Sequence, residues 1–307
     1  MRLVSFRRQD AVRLGAELEG GVVDLNQVYA AQLADRGEAD AEVRAATDVP
    51  PDILAFLAGG ETALAAARDA IAFATDHAEL LLPAGELELL PPVPRPPKII
   101  CVARNYGEHA AEANLNVLEH PNLFIRFAQS LIPHEAPILV PKVSKNVDWE
   151  AELAVIIGRP GKHVTKEAAL DHVAGYSIFN DVSIRDWQLR VPQFGAGKNF
   201  DASGPFGPAL VTKDEIPDPQ ALKIELELNG EVMQSASTAD MVFSVADLIE
   251  HISAFATLEP GDVIATGTPS GVGFVRKPPR FLEPGDTVRI EIERVGVLEN
   301  PVAAEKS

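Results

Sequence analysis

The chain has 307 residues, of which 46% are hydrophobic and 23% are charged, as is ordinary for a folded protein. Its formal net charge of −18, with no cluster of Lys and Arg, excludes the basic surface that nucleic-acid binding requires. The single cysteine, Cys101, excludes an intramolecular disulfide and a cysteine-based zinc site. The sequence contains neither a secretory signal nor an apolar run of the ~20 residues that span a bilayer. We therefore expect a cytoplasmic protein with no nucleic-acid or membrane partner.

Residues 1–90 are predicted to form a small α/β N-terminal domain. The segments RLVSFRR and RLGAELEGGVVDL are typical of short strands around a turn. Apolar residues at helical spacing follow in PPDILAFLAGGETALAAARDAIAFA, with a break at Gly59 and Gly60. No residue in this unit points to chemistry, and we interpret it as a packing or dimer-supporting domain.

Residues 91–98, PPVPRPPK, are predicted to be an extended connector, because proline fixes φ and has no N–H to donate. The remaining β-rich segments are KIICVARN (98–105), APILVPK (136–142), ELAVIIG (152–158), GPALVT (207–212), LKIELELNGEVMQSA (222–236), DVIATGT (262–268) and DTVRIEIERVGVLENPV (286–302). The dipeptide Asn229-Gly230 between two alternating runs predicts a hairpin.

Four short helices are expected in the same region, at 106–116, 166–172, 183–189 and 245–254. The third begins at Ser183 with Asp186 three residues later, a pattern that resembles a capping box. Many strands with few helices between them predict an α+β fold, mostly β, with a mostly antiparallel or mixed sheet in a domain spanning 99–303. Residues 304–307 are expected to be a loose tail.

Two glutamates stand at the start of the apolar segment DWEAELAVIIG. In a strand, Glu150 and Glu152 would point to the same face with Cβ atoms roughly 6.5–7 Å apart. Two carboxylates at this spacing repel each other unless a cation lies between them. A hard divalent cation with oxygen ligands is one solution, and a solvated strand end is the other.

A third acid, Asp181, follows the β-like run YSIFN (176–180) and precedes a predicted helix. Asp181 could be a turn or cap residue. If the two strands are neighbours, however, the three acids form an all-carboxylate site that suits Mg²⁺, Mn²⁺ or Ca²⁺ better than zinc. Lys198, in the glycine-flanked segment GAGKNFD, could balance the excess negative charge.

Seven segments occur in an order that resembles the fumarylacetoacetate hydrolase family, in its large bacterial branch that contains acylpyruvases and related diketo acid hydrolases. They are CVARNYGEHAAEAN (101–114), VDWEAELAVIIG (147–158), VAGYSIFNDVSIRDWQ (173–188), GKNFDASGPFGPALVT (197–212), LNGEVMQ (228–234), LEPGDVIATGTPSGVG (258–273) and FLEPGDTVRIEIERVGVLENPV (281–302). The resemblance covers about 98–303. It implies a mixed β-roll catalytic domain, ligation of Mg²⁺ or Mn²⁺ by Glu150, Glu152 and Asp181, and a homodimer as the minimal unit.

The resemblance also implies a small anionic oxo-acid substrate and names a catalytic pair. Family members with hydrolytic or decarboxylating activity carry a His-x-x-Glu motif at the place of His109 and Glu112. On a helix these residues share one face, so the glutamate can orient the imidazole as a general base. Lys198 is the candidate donor to a developing oxyanion.

Four further residues are expected to bind substrate: Arg104, Tyr106, Gln188 and Thr268. The Thr268 hydroxyl and the amides of its loop could hold the substrate carboxylate, whereas the glycines of that loop lack the spacing of a nucleotide-binding motif. Arg185 could clamp a carboxylate or form a structural ion pair. Arg126 departs from the family, since many members have a lysine there, and the fork geometry of its guanidinium makes distal substrate contacts harder to assign.

Two enzymatic functions follow from this reading. The first is a divalent-metal-dependent hydrolase that cleaves a C–C bond of a 2,4-dioxo acid, of the acylpyruvate or diketo-deoxy sugar acid type, through a metal-stabilised enolate. The alternative is a decarboxylase or isomerase of a 2-oxo diacid, of the oxaloacetate or homoprotocatechuate-pathway type. Both use the same metal site, so the acids do not separate them. A binding protein that has lost catalysis is a third reading, disfavoured by the intact set of acids, dyad and lysine.

Overall fold

A computed structural model describes residues 1–83, 85, 87–112 and 118–306, apart from the side chain of Ala110. The α-helices are α1 (Leu25–Asp35), α2 (Ala41–Asp48), α3 (Ile53–Ala58), α4 (Gly60–Thr75), α5 (Gly107–Glu112), α6 (Arg185–Gln188), α7 (Gly195–Lys198) and α8 (Val245–Phe255). Short 3₁₀ helices occupy Ala78–Leu80, Ala128–Ser130, Lys166–His172, Lys213–Glu215 and Thr238–Asp240. Among the described residues, no helix is both long and apolar enough to cross a membrane.

The strands outnumber the helices in the described part of the chain. They are β1 (Arg2–Arg8), β2 (Ala11–Leu18), β3 (Gly21–Asp24), β4 (Leu81–Leu82), β5 (Glu88–Leu90), β6 (Ile99–Ala103), β7 (Asn122–Ile125), β8 (Leu131–Ile132), β9 (Ile138–Val140), β10 (Val147–Asp148), β11 (Ala151–Ile157), β12 (Val173–Asn180), β13 (Ser183–Ile184), β14 (Gly204–Thr212), β15 (Lys223–Leu228), β16 (Glu231–Ser237), β17 (Val263–Ala265), β18 (Thr287–Ile292) and β19 (Gly296–Ala304).

The strands form a large mixed sheet with the order β4-β3-β2-β1-β14-β12-β11-β17-β6-β7, a five-stranded sheet β16-β15-β18-β19-β9 and a two-stranded ribbon β10-β13. Strand β11 lies in the interior of the large sheet, antiparallel to β12 and β17, and all seven of its residues are buried. This burial on both faces explains why its sequence is continuously apolar after Glu152. The predicted α+β, mostly β class with a mixed sheet is confirmed.

The N-terminal residues extend the same sheet. Strand β1 pairs antiparallel with β14 at Leu3 and Leu210, and the apolar sides of α1 and α4 pack in one core with residues of β6, β11 and β14. In α4 the buried residues are alanines, so the helix packs closely: Ala63, Ala66, Ala67, Ala70 and Ala74. The division into separate domains at residue 90 remains a prediction.

Most predicted elements are present. The connector 91–98 contains no helix or strand, and Asn229 and Gly230 have the positive φ angles of 55° and 81° that the hairpin turn requires. The helix expected at 106–116 is present as α5, and its positions 113–116 lie outside the described residues, as does Ser307 of the expected tail. Helices α1 and α2 were not predicted.

The short helix expected at 166–172 is present as a 3₁₀ helix. One local prediction was wrong. Ser183 does not cap a helix, because it pairs with Asp148 in the ribbon β10-β13 and its hydroxyl donates to the carbonyl of Asp181 at 3.1 Å. Helix α6 therefore begins at Arg185 without a side-chain cap.

Candidate active site

The three predicted acids meet beside the interior strands of the large sheet. Glu150 lies one residue before β11, Glu152 lies within it, and Asp181 follows β12 directly. Pairing of Ala151 with Asn180 brings the two strand ends together. The three residues are 6%, 1% and 0% exposed, and one carboxylate oxygen from each lies within 4.8 Å of the others. The solvated strand end considered from the sequence is therefore wrong.

Lys198 bridges two of the acids. Its Nζ donates to Oε2 of Glu150 and to Oδ2 of Asp181, both at 2.6 Å, and to the Asp181 carbonyl at 3.1 Å. Burial lowers the pKa of this buried ammonium, but the two carboxylates outweigh burial, so the net direction is a raised pKa. Lys198 is a cation at neutral pH and balances negative charge, as the sequence predicted.

Arg185 pairs with the other oxygen of Glu150. Its Nη1 lies 2.7 Å from Oε1 of Glu150, while its Nε donates to Oδ2 of Asp148 at 2.8 Å. Of the two roles left open for Arg185, the structure shows the ion pair. Burial raises the pKa of Glu150, but Lys198 and Arg185 outweigh it and bring the pKa to about 2.

Arg126 completes a chain of alternating charges. Its Nη1 donates to Oδ1 of Asp181 at 2.6 Å and its Nη2 to Oγ of Ser203 at 2.7 Å, at a completely buried position. The guanidinium fork thus holds the acid cluster rather than a distal part of the substrate. In order, the chain is Asp148, Arg185, Glu150, Lys198, Asp181 and Arg126.

Glu152 stands outside this chain. Its Oε2 accepts a hydrogen bond from the amide of Gly267 at 2.9 Å, and within the described residues no cationic side chain pairs with it. Burial first, and then the neighbouring charges of Asp181 and Glu150, raise the pKa of Glu152 well above its usual range. A buried carboxylate that lacks a cation, beside two others within ligand distance, fits a hard divalent metal ion.

His109 and Glu112 form the predicted pair on α5. Nδ1 of His109 lies 2.9 Å from Oε1 of Glu112, and Oε2 of Glu112 accepts from the amide of Gly271 at 2.9 Å. One glutamate therefore orients the imidazole and attaches α5 to the loop that follows β17. Within the described residues, the other ring nitrogen of His109, Nε2, has no hydrogen-bond partner in the protein.

A cavity of about 190 Å³ is lined by several of these groups. Its lining includes seven residues predicted for the site, namely Arg104, His109, Glu150, Glu152, Gln188, Lys198 and Thr268. Val102, Ala103, Phe124, Leu189, Phe194 and Phe274 add apolar walls, and Arg185 a charged one. A larger cavity of about 700 Å³, between α4 and the start of β12, holds none of the predicted site residues.

Of the four predicted substrate-binding residues, Arg104, Gln188 and Thr268 line the cavity of about 190 Å³, and Tyr106 lines another one. Gln188 is held by Nη1 of Arg185 at 2.9 Å, and the Thr268 hydroxyl accepts from Nε2 of Gln234 at 2.9 Å, which leaves its own proton free to donate. Arg104 has a left-handed backbone φ of 61°. Tyr106 is buried and lines a separate cavity of about 240 Å³ with Glu108 and Ser270. Tyr106 therefore does not line the cavity that Glu150 and Glu152 border.

Several residues that support the site were not predicted from the sequence. Asp148 anchors Arg185, Asn180 accepts from the amide of Glu150 at 3.0 Å, and Gln234 positions Thr268. Asp148 begins the segment that carries both glutamates, and this proximity was the available signal. Asn180 and Gln234 carry none, because their role depends on strand register.

Comparison with known proteins identifies the family. The family model described as the C-terminal domain of fumarylacetoacetate (FAA) hydrolase matches residues 98–303. The chain belongs to the fumarylacetoacetate hydrolase family. This result confirms the resemblance drawn from the seven segments.

Similar proteins extend over the whole chain. The mitochondrial oxaloacetate tautomerase Fahd2a of Rattus norvegicus is 45% identical, covering 98% of this chain and 91% of its own. The oxaloacetate tautomerase YisK of Bacillus subtilis is 39% identical, covering 92% and 95%. A crystal structure of maleylpyruvate hydrolase from Sphingobium sp. SYK-6, with manganese(II) and pyruvate, superposes with a TM-score of 0.75 at 30% identity over the full length of both chains. The relatives' names agree with the isomerase alternative better than with the hydrolase reading.

Proposed function

We propose that this family member is a divalent-metal-dependent tautomerase that interconverts the keto and enol forms of a 2-oxo dicarboxylic acid such as oxaloacetate. The observation that carries the proposal is one cavity lined by Glu150 and Glu152 of the buried acid cluster and by His109 of the His109–Glu112 pair. The similarity to oxaloacetate tautomerases over nearly the whole chain supports the choice of substrate.

Tautomerisation needs only proton transfers. One proton leaves C3 of the keto acid, one is added to the C2 oxygen, and no water or second substrate is consumed. His109 is the candidate that takes and returns the C3 proton at Nε2, since its Nδ1 is occupied by Glu112. Glu112 stabilises the imidazolium that forms and holds the ring in place.

Glu150, Glu152 and Asp181 would hold Mg²⁺ or Mn²⁺, although their oxygens would also accept Ca²⁺. When bound, such an ion supplies positive charge that polarises the 2-oxo group. Lys198 keeps Glu150 and Asp181 from repelling each other, and Thr268 can donate its hydroxyl proton to a substrate carboxylate.

The charges of the site are suited to an anion. The buried carboxylates and cations sum to −1 when all are ionised; they are Asp148, Glu150, Glu152 and Asp181 against Arg126, Arg185 and Lys198. The partly exposed Arg104 guanidinium and Glu112 carboxylate cancel each other. A divalent cation would bring the total to +1, so the site would attract an anionic oxo acid.

The experiment that tests the proposal is a substrate panel read by product identity. With Mn²⁺ or Mg²⁺ the purified protein should convert enol-oxaloacetate to the keto form, and EDTA should abolish the reaction. Release of CO₂ and pyruvate would instead identify a decarboxylase. Absence of catalysed tautomerisation with every 2-oxo diacid tested would contradict the proposal.

A second candidate is hydrolysis of a C–C bond in a 2,4-dioxo acid, supported by the likeness to a maleylpyruvate hydrolase. In that reaction His109 would deprotonate water rather than C3. Formation of two carboxylic acids from an acylpyruvate in the same panel would favour it. We also propose a homodimer and a cytoplasmic location, which light scattering on the purified protein and localisation of the tagged protein would test.

A further inference from the structure

Asp148 is a buried carboxylate, 0% exposed, that does not line the cavity of about 190 Å³ bordered by Glu150, Glu152 and His109. Its Oδ1 accepts from the amides of Trp149 at 2.9 Å and Gly273 at 2.7 Å. Its Oδ2 accepts from the amide of Phe274 at 3.0 Å and from Nε of Arg185 at 2.8 Å. Because three of these donors belong to the backbone, the orientation of the carboxylate is fixed.

Asp148 in turn orients Arg185. Nη2 of Arg185 lies 2.8 Å from the same Oδ2 atom, so one edge of the planar guanidinium faces Asp148. The opposite nitrogen, Nη1, then lies 2.7 Å from Oε1 of Glu150. Since the guanidinium is rigid, fixing one edge fixes where the other edge points. Asp148 thus determines how Glu150 is held, and Arg185 is the group that connects the two carboxylates.

Asp148 also fastens one wall of the cavity. A Cβ at Gly273 would lie 2.7 Å from Oδ1 of Asp148 and 2.0 Å from the carbonyl oxygen of Arg280, so glycine permits this close approach. The next residue, Phe274, lines the cavity, and the Arg185 guanidinium lies 4.3 Å from the centre of its ring. The loop and Glu150 are therefore connected through one carboxylate.

We propose that Asp148 is a positioning residue for the metal centre, which presents Glu150 to the cation by sharing the charge of Arg185. Without a negative charge at position 148, the Arg185 guanidinium is no longer held by Asp148. Its positive charge is then neutralised by Glu150 and no longer shared with Asp148. Glu150 then competes less well for a metal ion. The inference rests on the metal centre of the proposed function, but not on which oxo acid is the substrate.

The test is the dissociation constant of Mn²⁺ alone, measured by isothermal titration calorimetry without substrate. Asp148→Asn should weaken Mn²⁺ binding roughly 10–100-fold, the range typical of residues that orient a metal ligand. Asp186→Asn is the matched control, because Asp186 lies in α6 beside Arg185 but is partly exposed and contacts Ser144. Its dissociation constant should equal that of the wild type. An Asp148→Asn protein that binds Mn²⁺ as the wild type does would overturn the proposal.

A double-mutant cycle separates positioning from general loss of structure. In an Arg185→Gln background, Asp148→Asn should have almost no further effect on the Mn²⁺ dissociation constant, because the connection to Glu150 is already broken. An equal loss of affinity in both backgrounds would show that Asp148 acts through the fold alone. If Asp148→Asn does not fold, Arg185→Lys replaces it, since a single ammonium cannot span both acids. Unchanged Mn²⁺ affinity of Arg185→Lys would then overturn the proposal.

Failure of the Asp148 proposal and failure of the proposed function give different experimental results. A wild-type protein that binds Mn²⁺ but does not act on oxaloacetate contradicts only the proposed substrate, and the Asp148 measurements keep their meaning. A wild-type protein that does not bind Mn²⁺ overturns both.

Discussion

Oε1 of Glu112 lies 2.9 Å from Nδ1 of His109, and the other oxygen of the same carboxylate accepts from the Gly271 amide. His109, the proposed general base, and the loop that carries Thr268 are therefore both bonded to one side chain. A change at Glu112 should alter both proton transfer and the placement of that loop.

The first prediction concerns this pair. His109→Ala should lower kcat for tautomerisation by about 10²–10⁴-fold, the usual contribution of a general base, while Mn²⁺ affinity changes little. Glu112→Gln should lower kcat less, because the amide can still contact the imidazole but does not stabilise its charged form. Steady-state kinetics measure both effects.

Glu108→Gln serves as the control, since Glu108 is an exposed carboxylate on the same helix. It should keep wild-type kinetics. Full activity of His109→Ala with normal metal binding would show that another group transfers the proton.

The second prediction concerns pH. Without metal, the raised pKa of Glu152 means that the folded protein holds a proton that the unfolded chain releases above its ordinary pKa of 4.5. This group therefore makes the metal-free protein less stable as pH rises from about 4.5 through the folded pKa. The pKa of Glu150, about 2, lies below its ordinary value of 4.5. This group therefore stabilises the folded protein above pH 4.5, and that stabilisation is lost as pH falls from about 4.5 to about 2.

A divalent cation should displace the Glu152 proton, so Mn²⁺ binding should release protons and weaken as pH falls. Calorimetry in two buffers with different ionisation enthalpies measures the number of protons released. Zero release at neutral pH would mean that Glu152 is already ionised in the metal-free protein.

The third prediction concerns Lys198. Lys198→Met removes the cation between Glu150 and Asp181 and should destabilise the metal-free protein by about 3–5 kcal/mol, as expected when one partner of a buried ion pair is lost. Mn²⁺ should restore much of this loss by neutralising the same acids. Thermal unfolding in EDTA and in excess Mn²⁺ measures the difference.

The exposed Lys145 provides the control, and Lys145→Met should leave both melting temperatures unchanged. If Mn²⁺ stabilised Lys198→Met no more than the wild type, the acids of the variant would not be sharing the metal charge.

Much of the site could be predicted because its chemistry is local in sequence. Glu150 and Glu152 are separated by one residue, so the strand period alone indicates that their side chains share a face. Asp181 and Lys198 were candidates on condition that β11 and β12 are neighbours, which nothing local states. The His-x-x-Glu spacing of His109 and Glu112 is common on helices, and only the family resemblance singled this pair out.

The failures also have physical causes. Ser183 and Asp186 have the spacing of a helix cap, but Ser183 pairs with Asp148 in a ribbon that joins residues 35 positions apart. Tyr106 is near His109 in sequence, yet its backbone forms a β-bridge with Met241 and its side chain lines a separate cavity with Ser270. Its role in substrate binding remains a prediction. Such long-range contacts are absent from local patterns.

The last prediction concerns substrate choice. Arg104 lines the cavity, and in the described part of the chain no acid forms an ion pair with it, whereas Arg185 and Lys198 are both paired with acids. Its left-handed φ of 61° is unfavourable for a non-glycine residue and is typical of functional sites. We expect its guanidinium to bind the second carboxylate of a 2-oxo dicarboxylate.

Arg104→Gln should therefore raise KM for oxaloacetate roughly 10–100-fold, since a charged hydrogen bond contributes about 1.5–3 kcal/mol. The KM for a 2-oxo monoacid such as 2-oxobutanoate should change little, because that substrate has no second carboxylate. NMR detection of C3 proton exchange in D₂O follows both substrates. Arg190→Gln is the matched control, because Arg190 is an exposed arginine that stacks on Trp187 and does not line the cavity. An equal rise in KM for both acids would show that Arg104 shapes the cavity without selecting a diacid.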